Sequence, residues 1–582
     1  MSKKVDPVTV EVIRNALGNV CDTMKVTVES TAYSTVISET VDYSNAIIGR
    51  DGELIAETAG LPVFLATLSE AVRETDRVIG FDNLEEGDII FCNDPYSGGF
   101  SHNPDITVMK PVYIDGKLET FSCFRGHTLD MGSRTPGGWL NNTENCYQDG
   151  VCFPPVKLYR GGEKNQDIFR LIHRSTRYPD AVLGDIRAMV SAVRVGDDRV
   201  SKLYDHYGVE MMRNAINQMR NNAEEVAREA VRDLPDGEYE GEYFADGDGD
   251  DDNQITDKIR VKMKMIIKND EIHVDFEGSS PQTNGPMNCP AVTTKSLARL
   301  GFKALTTPDK PNNAGHFRPL SVSIPERTVL NPEPPASTAL NWIHVGGIPD
   351  LMQKVLEDVI PKKVTGSHFG TPCASFVYGK DPRDNSNYMF IEGDAGGWGA
   401  TPERDGESAL FCKELGDTNN TPIEVVETKY PIEVSEYSLI KDSGGPGKYR
   451  GGLGVKRDFT PMNHDARVTA TFDRQKYSPP WGVCGGKAGA TNHILFFKED
   501  GNKKRYGKIT DVPLKETELV SFRGGGGGGY GNPFERKPEN VLQDVIDDYI
   551  SIEHAKQEYG VVITDDLEID WGKTEDIRNK GE

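Results

Sequence analysis

Short hydrophobic runs joined by tight turns constrain the fold of the first quarter of this chain. Two pairs of runs are each separated by a turn that contains the dipeptide Asp-Gly, at Asp51-Gly52 and at Asp115-Gly116. Strand-forming residues on both sides of such a dipeptide predict a β-hairpin, because both residues tolerate the positive φ angles of the turn. The predicted hairpins pair residues 45–48 with 53–56 and residues 108–113 with 118–125.

Helical patterns surround and follow these hairpins. Apolar residues recur at helical spacing over 8–30, and a second helix is expected around 66–78. The segment 165–232 is mostly helical in pattern. Beyond Pro235 strand-like runs dominate, and a last helix is expected near 537–557.

These patterns together predict an α+β fold. An N-terminal α/β region is followed by a helical middle segment, and a β-rich C-terminal part is closed by a helix. The expected boundaries are residues 1–164 for the α/β region, 165–234 for the helical segment, 235–536 for the β-rich domain or domains, and 537–582 for the C-terminal helix and tail.

Glycine marks the expected interruptions of this pattern. Gly196 and Gly208 are expected to break the helical segment. A run of six glycines, Gly524–Gly529, is most simply a flexible loop, and the alternative is an anion site built from backbone amides. No glycine-rich segment has the Gly-x-x-x-x-Gly-Lys-Ser/Thr pattern of a phosphate loop, so we do not expect this chain to hydrolyse ATP on its own.

The composition is that of a globular protein and excludes several classes of function. No window approaches the run of about 18 apolar residues that a membrane-spanning helix needs. The formal net charge of −25 repels phosphate backbones, so we do not expect nucleic-acid binding. The N-terminus has no apolar signal segment, and the nine cysteines include no Cys-x-x-Cys pair. A cytoplasmic protein with reduced thiols is the expectation.

An acidic segment at 246–252 resembles a calcium-binding loop in composition. It lacks the glycine of loop position six, and position twelve is Asp257 instead of glutamate. A solvated hairpin tip is therefore the preferred interpretation, and a calcium site is the alternative.

Three residues form the strongest candidate site. His102 and Asp105 lie in a loop rich in glycine and proline, and His127 lies at the end of a predicted strand. Two neutral imidazoles and a carboxylate form an N,N,O set that suits a divalent transition metal and leaves positions open for water or substrate. The alternative is two unrelated surface histidines and a turn aspartate.

The motifs around these residues resemble the hydantoinase B/oxoprolinase family. The similarity covers about residues 6–570, and its motifs are specific as an ordered set although each one alone is weak. They are Asn93-Asp94-Pro95-Tyr96 with Gly98-Gly99, Arg125 with Gly132, Pro154–Leu158 with Arg160-Gly161-Gly162, Asp275–Gln282, Asp442–Gly445 with Tyr449–Gly452, Pro479–Gly482, Tyr530–Pro533 and Tyr559–Val562.

The resemblance implies a subunit that acts in a hetero-oligomer. Family members pair with a hydantoinase A-type ATPase subunit, which binds ATP and Mg²⁺ and phosphorylates a carbonyl oxygen of a small molecule. The reactions implied are carboxylation of a ketone by bicarbonate and ring opening of a lactam or hydantoin. A third possibility is a scaffold subunit whose metal is purely structural.

The resemblance also implies a set of metal ligands. Carried over by position, these are Asp42, His102, Asp105 and His127, of which Asp42 matches least well because Val41 stands where the family pattern has arginine. Such a set suits Zn²⁺ first and Mn²⁺ as an alternative. Asp130 is expected to have a catalytic role as a carboxylate that orients a ligand imidazole, and its alternative is a structural turn acid.

Three departures from the ring-opening members favour an apolar substrate. Phe64 and Thr128 stand where those members have histidine, and Phe100 stands where a small threonine is common. A less polar pocket fits a ketone better than a hydantoin. The leading hypothesis from sequence is therefore the metal-containing subunit of an ATP-dependent ketone carboxylase similar to acetophenone carboxylase. The alternative is ATP-dependent hydrolysis of a cyclic amide such as 5-oxoproline, N-methylhydantoin or caprolactam.

Overall fold

The α+β fold expected from the sequence is confirmed by a computed structural model. It describes residues 4–58, 60–96, 101–247, 258–416 and 418–579. The chain divides into two compact units. Unit 1 comprises residues 1–238, 263–342 and 414–421, and unit 2 comprises residues 239–262, 343–413 and 422–582.

The helices and strands of unit 1 follow one another in mixed order. Its helices are α1 (Pro7–Glu29), α2 (Thr35–Ser38), α3 (Pro62–Val78), α4 (Cys146–Asp149), α5 (Gln166–Ser175), α6 (Pro179–Tyr207), α7 (Val209–Arg232) and α8 (Ala291–Thr306). Its strands are β1 (Tyr43–Gly49), β2 (Leu54–Glu57), β3 (Ile89–Cys92), β4 (Asp105–Ile114), β5 (Lys117–His127), β6 (Val156–Arg160), β7 (Glu163–Lys164), the first two residues of β8 (Gly237–Asp246), the last six residues of β9 (Lys258–Lys268), β10 (Glu271–Asp275) and β11 (Leu320–Ser323).

Both hairpins expected from the sequence are present in the central sheet of unit 1. This sheet has the order β2-β1-β5-β4-β3-β6-β7, and all of its neighbouring strands are antiparallel. A second sheet of order β11-β10-β9-β8 follows, and the chain crosses from one unit to the other within β8 and β9.

Helices cover both faces of the central sheet. Side chains on one face, including Ile47, Phe91 and Phe124, join a core with α1 and α6. Their neighbours Ile48 and Cys123 point to the opposite face and join a second core with α3. Because both faces are buried, the strands contain continuous apolar runs instead of the alternation typical of a sheet with one solvated face.

The helical middle segment differs from the expectation at one glycine. Gly208 separates α6 from α7, as expected, but α6 continues through Gly196. A side chain at position 196 would overlap Ser122 and Met24, so this glycine permits close contact between α6 and the sheet. The expected break at Gly196 is therefore wrong.

Unit 2 contains two antiparallel sheets and five short helices within the described residues. Its helices within the described residues are α9 (Gly347–Lys354), α10 (Ile423–Lys429), α11 (Pro538–Ile546), α12 (Ile552–Tyr559) and α13 (Trp571–Arg578). Its strands are β12 (Ala374–Lys380), β13 (Asn387–Gly393), β14 (Ile432–Leu439), β15 (Val455–Pro461), β16 (Ala466–Thr471), β17 (His493–Phe497), β18 (Lys503–Tyr506), β19 (Lys508–Leu514) and β20 (Leu519–Gly524).

The two sheets of unit 2 share an aromatic core. Their strand orders are β13-β12-β16-β19 and β14-β15-β20-β17-β18. Phe390 on the first sheet contacts Phe459 on the second at 5.7 Å between ring centroids, and Phe459 contacts Phe522 at 5.5 Å. Such tilted aromatic pairs add packing energy beyond the burial of their surface.

The run Gly524–Gly529 is buried, and the expected flexible loop is wrong. Its amides donate to fixed acceptors: Gly526 to Ala490, Gly527 to Gly452 and Gly528 to Ser367. The amides of Gly525 and Gly529 are bonded as well, so this segment offers no free amides to an anion. An added Cβ at positions 526–529 would overlap backbone atoms of neighbouring segments. Glycine is needed here because backbones meet at van der Waals distance.

Two further expectations need correction. The single helix expected near 537–557 is divided into α11 and α12, and Ser551 caps the second helix by accepting from the amide of His554. Asp246 is buried and accepts from the amides of Gln475 and Tyr477, so it does not belong to a solvated tip. Residues 248–252 of the acidic segment lie outside the described residues.

Among the described residues, no helix is long and apolar enough to cross a membrane. The nine cysteines are all free thiols.

Replacement of Gly527 by alanine tests the close packing of the glycine run. The added methyl group would overlap the Trp398 carbonyl, so Gly527→Ala should cost about 2–3 kcal/mol or more and lower the melting temperature clearly. Gly18→Ala is the control, because a Cβ at this helical position meets no atom within 4 Å and should stabilise by about 0.5–1 kcal/mol. Equal melting temperatures for the two variants would contradict this packing.

Candidate metal centre

Strand pairing in the central sheet brings three of the predicted ligands into one row. Asp105 begins β4, His127 ends β5, and the two are direct cross-strand partners. On the other side of β5, the amide of His127 donates to the carbonyl of Asp42 at 3.0 Å. Directly paired residues point to the same face of a sheet, so Asp42, His127 and Asp105 lie side by side across three adjacent strands.

The polar atoms of His102, Asp105 and His127 converge. Oδ1 of Asp105 lies 3.2 Å from Nε2 of His102 and 3.2 Å from Nδ1 of His127. Two ligand atoms bound about 2.1 Å from one ion are separated by about 3.0–3.4 Å at tetrahedral or octahedral angles. The observed separations therefore match a set of donors arranged around a common point.

Contacts outside the cluster orient its members. His102 precedes β4 in a turn, and its Nδ1 lies 3.3 Å from the carbonyl of Ala339, which leaves Nε2 directed at Asp105. The hydroxyl of Ser101 donates to Oδ2 of Asp105, which leaves Oδ1 directed at the imidazoles. Such partners are what fix tautomer and orientation in metal sites.

His102, Asp105 and His127 are almost completely buried and Asp42 is partly buried, and burial perturbs the protonation of all four. Burial raises the pKa of Asp42 to about 8, and the nearby carboxylate of Asp105 contributes in the same direction. Burial alone would raise the pKa of Asp105 too, but His102 and His127 hold it well below its usual range. Burial lowers the pKa of His127, whereas the contact with Asp105 outweighs burial and raises the pKa of His102.

The backbone before Asp42 is strained. Val41 has a φ of 63°, in the left-handed region that β-branched residues rarely adopt. Strain of this kind persists where surrounding structure enforces it, and it is concentrated at functional sites. Val41 stands where the family pattern has arginine, and Asp42 after it accepts a backbone hydrogen bond from His127 at the end of β5.

Two tryptophans form a wall that the sequence did not reveal. The indole of Trp139 lies 5.8 Å from His102 at an interplanar angle of 23° and 5.1 Å from His127, measured between ring centroids. Trp342 lies 5.3 Å beyond Trp139. Neither tryptophan stands at a spacing from the histidines that would predict these contacts. The wall makes one side of the centre apolar.

The carboxylate of Asp130 is bound by a different partner from the one expected. It accepts from the backbone amide of Arg177 at 2.8 Å and from its guanidinium at 2.9 Å. Among the described residues, no hydrogen bond joins Asp130 to His102 or His127. The catalytic role of Asp130 stays a prediction, and its observed contacts fix the segment that follows His127.

The positions that favoured a ketone substrate have packing roles. The ring of Phe64 lies 5.7 Å from the guanidinium of the buried Arg125. The hydroxyl of Thr128 donates to the carbonyl of Pro104 at 3.0 Å and ties the two site segments together. Phe100 lies outside the described residues.

The donor set fits a divalent transition metal on structural grounds. Oδ1 of Asp42 is buried without a hydrogen-bond partner. Buried polar atoms are rarely left unpaired, and an ion is one recognised explanation. The ligand atoms of His102, Asp105 and His127 lie within 4.8 Å of one another, and Asp42 stands beside this set.

Comparison with known proteins identifies the class. The chain belongs to the hydantoinase B/oxoprolinase family, whose family model matches residues 6–533, and it is an enzyme subunit of the hydantoinase B type. It is 32% identical to the caprolactamase subunit beta of Pseudomonas jessenii, with 98% of each chain covered. It is 27% identical to the 5-oxoprolinase of Dictyostelium discoideum, over 91% of this chain and 41% of that longer protein.

Two solved structures share the fold. The crystal structure of the ATP-dependent caprolactamase from Pseudomonas jessenii matches with a TM-score of 0.93 and 31% identity, over 99% of this chain and 100% of that one. A nucleotide-free acetone carboxylase structure matches with a TM-score of 0.90 over 99% of this chain and 83% of that one. The identity in the second case is 19%, so this likeness concerns the fold alone.

Removal of either histidine tests the metal centre. His102→Ala and His127→Ala each delete one of few donors and should lose bound Zn²⁺ or Mn²⁺, measured by elemental analysis after dialysis against the metal. His206→Ala is the control, because His206 is exposed on α6. Full metal content in both site variants would show that these residues are not ligands.

Metal uptake should also depend on pH. Because the pKa of Asp42 is raised to about 8, its carboxyl is protonated at neutral pH in the ion-free protein, and an incoming ion must displace that proton. Affinity should therefore rise from about pH 6 to about pH 8 and then level off. Asp42→Asn should reduce the number of protons released by about one per ion, and an unchanged slope would remove Asp42 from the ligand set.

Proposed function

We propose that this chain is the metal-containing subunit of an ATP-dependent complex that opens the ring of a cyclic amide. The observation that carries the proposal is the convergence of His102, Asp105 and His127 on one point at the strand ends. Full-length likeness to a caprolactamase subunit supports the reaction class.

The residues of the centre would have different roles in the reaction. His102, Asp105 and His127 would hold Zn²⁺ or Mn²⁺, with Asp42 as a fourth ligand. Three protein donors would leave the fourth position of Zn²⁺ open, which is typical of catalytic sites, whereas four donors would leave an open position only on an ion that takes more than four ligands. A bound ion would polarise a carbonyl group and lower the pKa of water. The Trp139 wall would exclude water from one side and present an apolar surface to the substrate ring.

ATP would enter through a partner subunit. An amide carbonyl is a poor electrophile, and a hydantoinase A-type partner would transfer the γ-phosphoryl group of ATP to its oxygen. Water would then add to the activated carbon, the C–N bond would break to give an acyl phosphate, and a second water would release phosphate and the amino acid. The relative from Pseudomonas jessenii is named a subunit beta, which supports a hetero-oligomer.

Carboxylation of a ketone is the second candidate. Here the partner would phosphorylate the ketone as its enol. The phosphoryl group would then pass to bicarbonate, and the resulting carboxyphosphate would release inorganic phosphate and the CO₂ to which the freed enolate carbon adds. The apolar wall of Trp139 and Trp342 favours this candidate, since an aryl ketone has no ring amide that needs polar contacts. The packing roles of Phe64 and Thr128 weaken the argument that the sequence made for it.

Product analysis on the complex with its ATPase partner distinguishes the two candidates. The assay would contain ATP, ¹³C-bicarbonate, and in parallel caprolactam, 5-oxoproline or acetophenone. We expect an unlabelled ring-opened amino acid and no product when the isolated chain replaces the complex. Label in a β-keto acid would establish carboxylation instead. Rapid ATP hydrolysis by the purified chain alone would contradict the assignment of ATP to the partner.

A further inference from the structure

A large cavity lies in unit 1, apart from the metal centre. Its volume is about 1120 Å³, and it is bounded by α1, the end of β2, α7 and residues 308–316. None of His102, Asp105 and His127 lines it. A cavity of this size exceeds what a small-molecule ligand needs.

A smaller cavity adjoins the large one. Its volume is about 150 Å³, and Lys303 and Asn312 line both cavities, as do Pro62 and Leu300. The two spaces therefore share a wall on the side of α8. A ligand with two different polar ends would place one end in each.

The large cavity has unpaired acceptors in its wall. His316 is 3% exposed, and neither of its ring nitrogens has a hydrogen-bond partner. Oδ1 of Asn312 and Oε2 of Glu57 are buried without partners as well, although Asn312 hydrogen-bonds the Glu57 carboxylate. Leaving such groups dehydrated and unpaired is costly, so the cluster is suited to a ligand that brings N–H donors.

The ionisable groups at this end of the large cavity suit a cationic ligand. Burial raises the pKa of Glu57 to about 7, against the opposing effects of Asn312 and Lys303. Burial lowers the pKa of His316 to about 4, so its ring is neutral and can accept a hydrogen bond. A cationic ligand would draw Glu57 into its ionised form. Perturbed groups gathered in a cleft are typical of functional sites.

The small cavity presents the opposite charge. The guanidinium of Arg299 stacks on Phe317 at 5.3 Å and makes no ion pair within the described part of the chain. Burial, and next to it the charge of Arg73, lowers the pKa of Arg299. Lys303, at the junction of the cavities, donates to the carbonyl of Lys310 and lies 3.3 Å from Thr307 Oγ1. These groups suit a carboxylate.

We propose that the adjoining cavities form a second binding site, for an amino acid zwitterion. The carboxylate would bind Arg299 and Lys303, and the ammonium group would bind Glu57, Asn312 and His316. An amino acid is also the product of cyclic-amide ring opening, so the site would bind product of that reaction; this last link rests on the proposed function.

Calorimetric titration of the purified full-length chain tests the site without ATP or partner. The probes are 6-aminohexanoate and L-glutamate, with hexanoate and hexylamine as analogues that each carry one charged end. We expect at least one zwitterion to bind, and each analogue to bind at least about tenfold more weakly, which corresponds to about 1.4 kcal/mol. Because no turnover is measured, failure here leaves the ring-opening proposal standing, and the reverse also holds.

Substitutions of residues that line the two cavities test whether the zwitterion binds there. Glu57→Gln and Arg299→Gln should each weaken binding at least about tenfold. Arg299→Lys, which keeps the charge, should restore part of the affinity. The matched controls Glu163→Gln and Arg187→Gln change exposed residues and should bind as the parent does. His102→Ala should also bind normally, and melting curves show whether each variant is folded.

Three results would overturn the proposal. One is the absence of heat for both zwitterions up to about 10 mM, beyond the affinity range of a specific small-molecule site. Another is equal binding of hexanoate or hexylamine, which would show that the two ends are not recognised together. The third is loss of binding in His102→Ala, which would place the ligand at the metal centre.

Discussion

Pairing of β1 and β4 with the two edges of β5 is the constraint on which the metal centre depends. Asp105 begins β4, His127 ends β5, and Asp42 directly precedes β1 and accepts from the amide of His127, so the three side chains stand at one end of the paired strands. The row is held rigidly because helices cover both faces of the sheet and leave its strands no freedom to slide. A shift of one residue in β5 would turn His127 to the opposite face. Packing of α1, α3 and α6 therefore acts directly on the geometry of the site.

In unit 2 the dominant constraint is close approach of backbones. The run Gly524–Gly529 is surrounded by segments that contain glycine themselves, and their amides and carbonyls bond to one another. Most of the hydrogen bonds of this run join backbone groups, so its stability depends largely on backbone hydrogen bonds shielded from water. This arrangement explains why glycine is concentrated in the last third of the chain.

The sequence predicted the features that depend on local pattern. Both hairpins, the long helices and the positions of His102, Asp105 and His127 at strand ends follow from periodicity and turn residues. The sequence did not predict the features that depend on contacts between residues far apart in the chain. The carbonyl of Ala339 reaches His102 from 237 residues away, and Trp139 approaches both imidazoles without any spacing that signals it. The predictions for Gly196 and the hexaglycine run were wrong because the sequence alone does not distinguish a glycine that permits close packing from one that interrupts a helix or strand.

The contact between His102 and Ala339 has a consequence for how the protein matures. All four predicted ligands lie within the first 127 residues, whereas the group that orients His102 lies much later in the chain. When the last strand of the central sheet has been synthesised, Ala339 has not yet been added to the chain. The site therefore reaches its final geometry only after residue 339 has been synthesised, and a chain truncated before that point would lack the contact that orients His102.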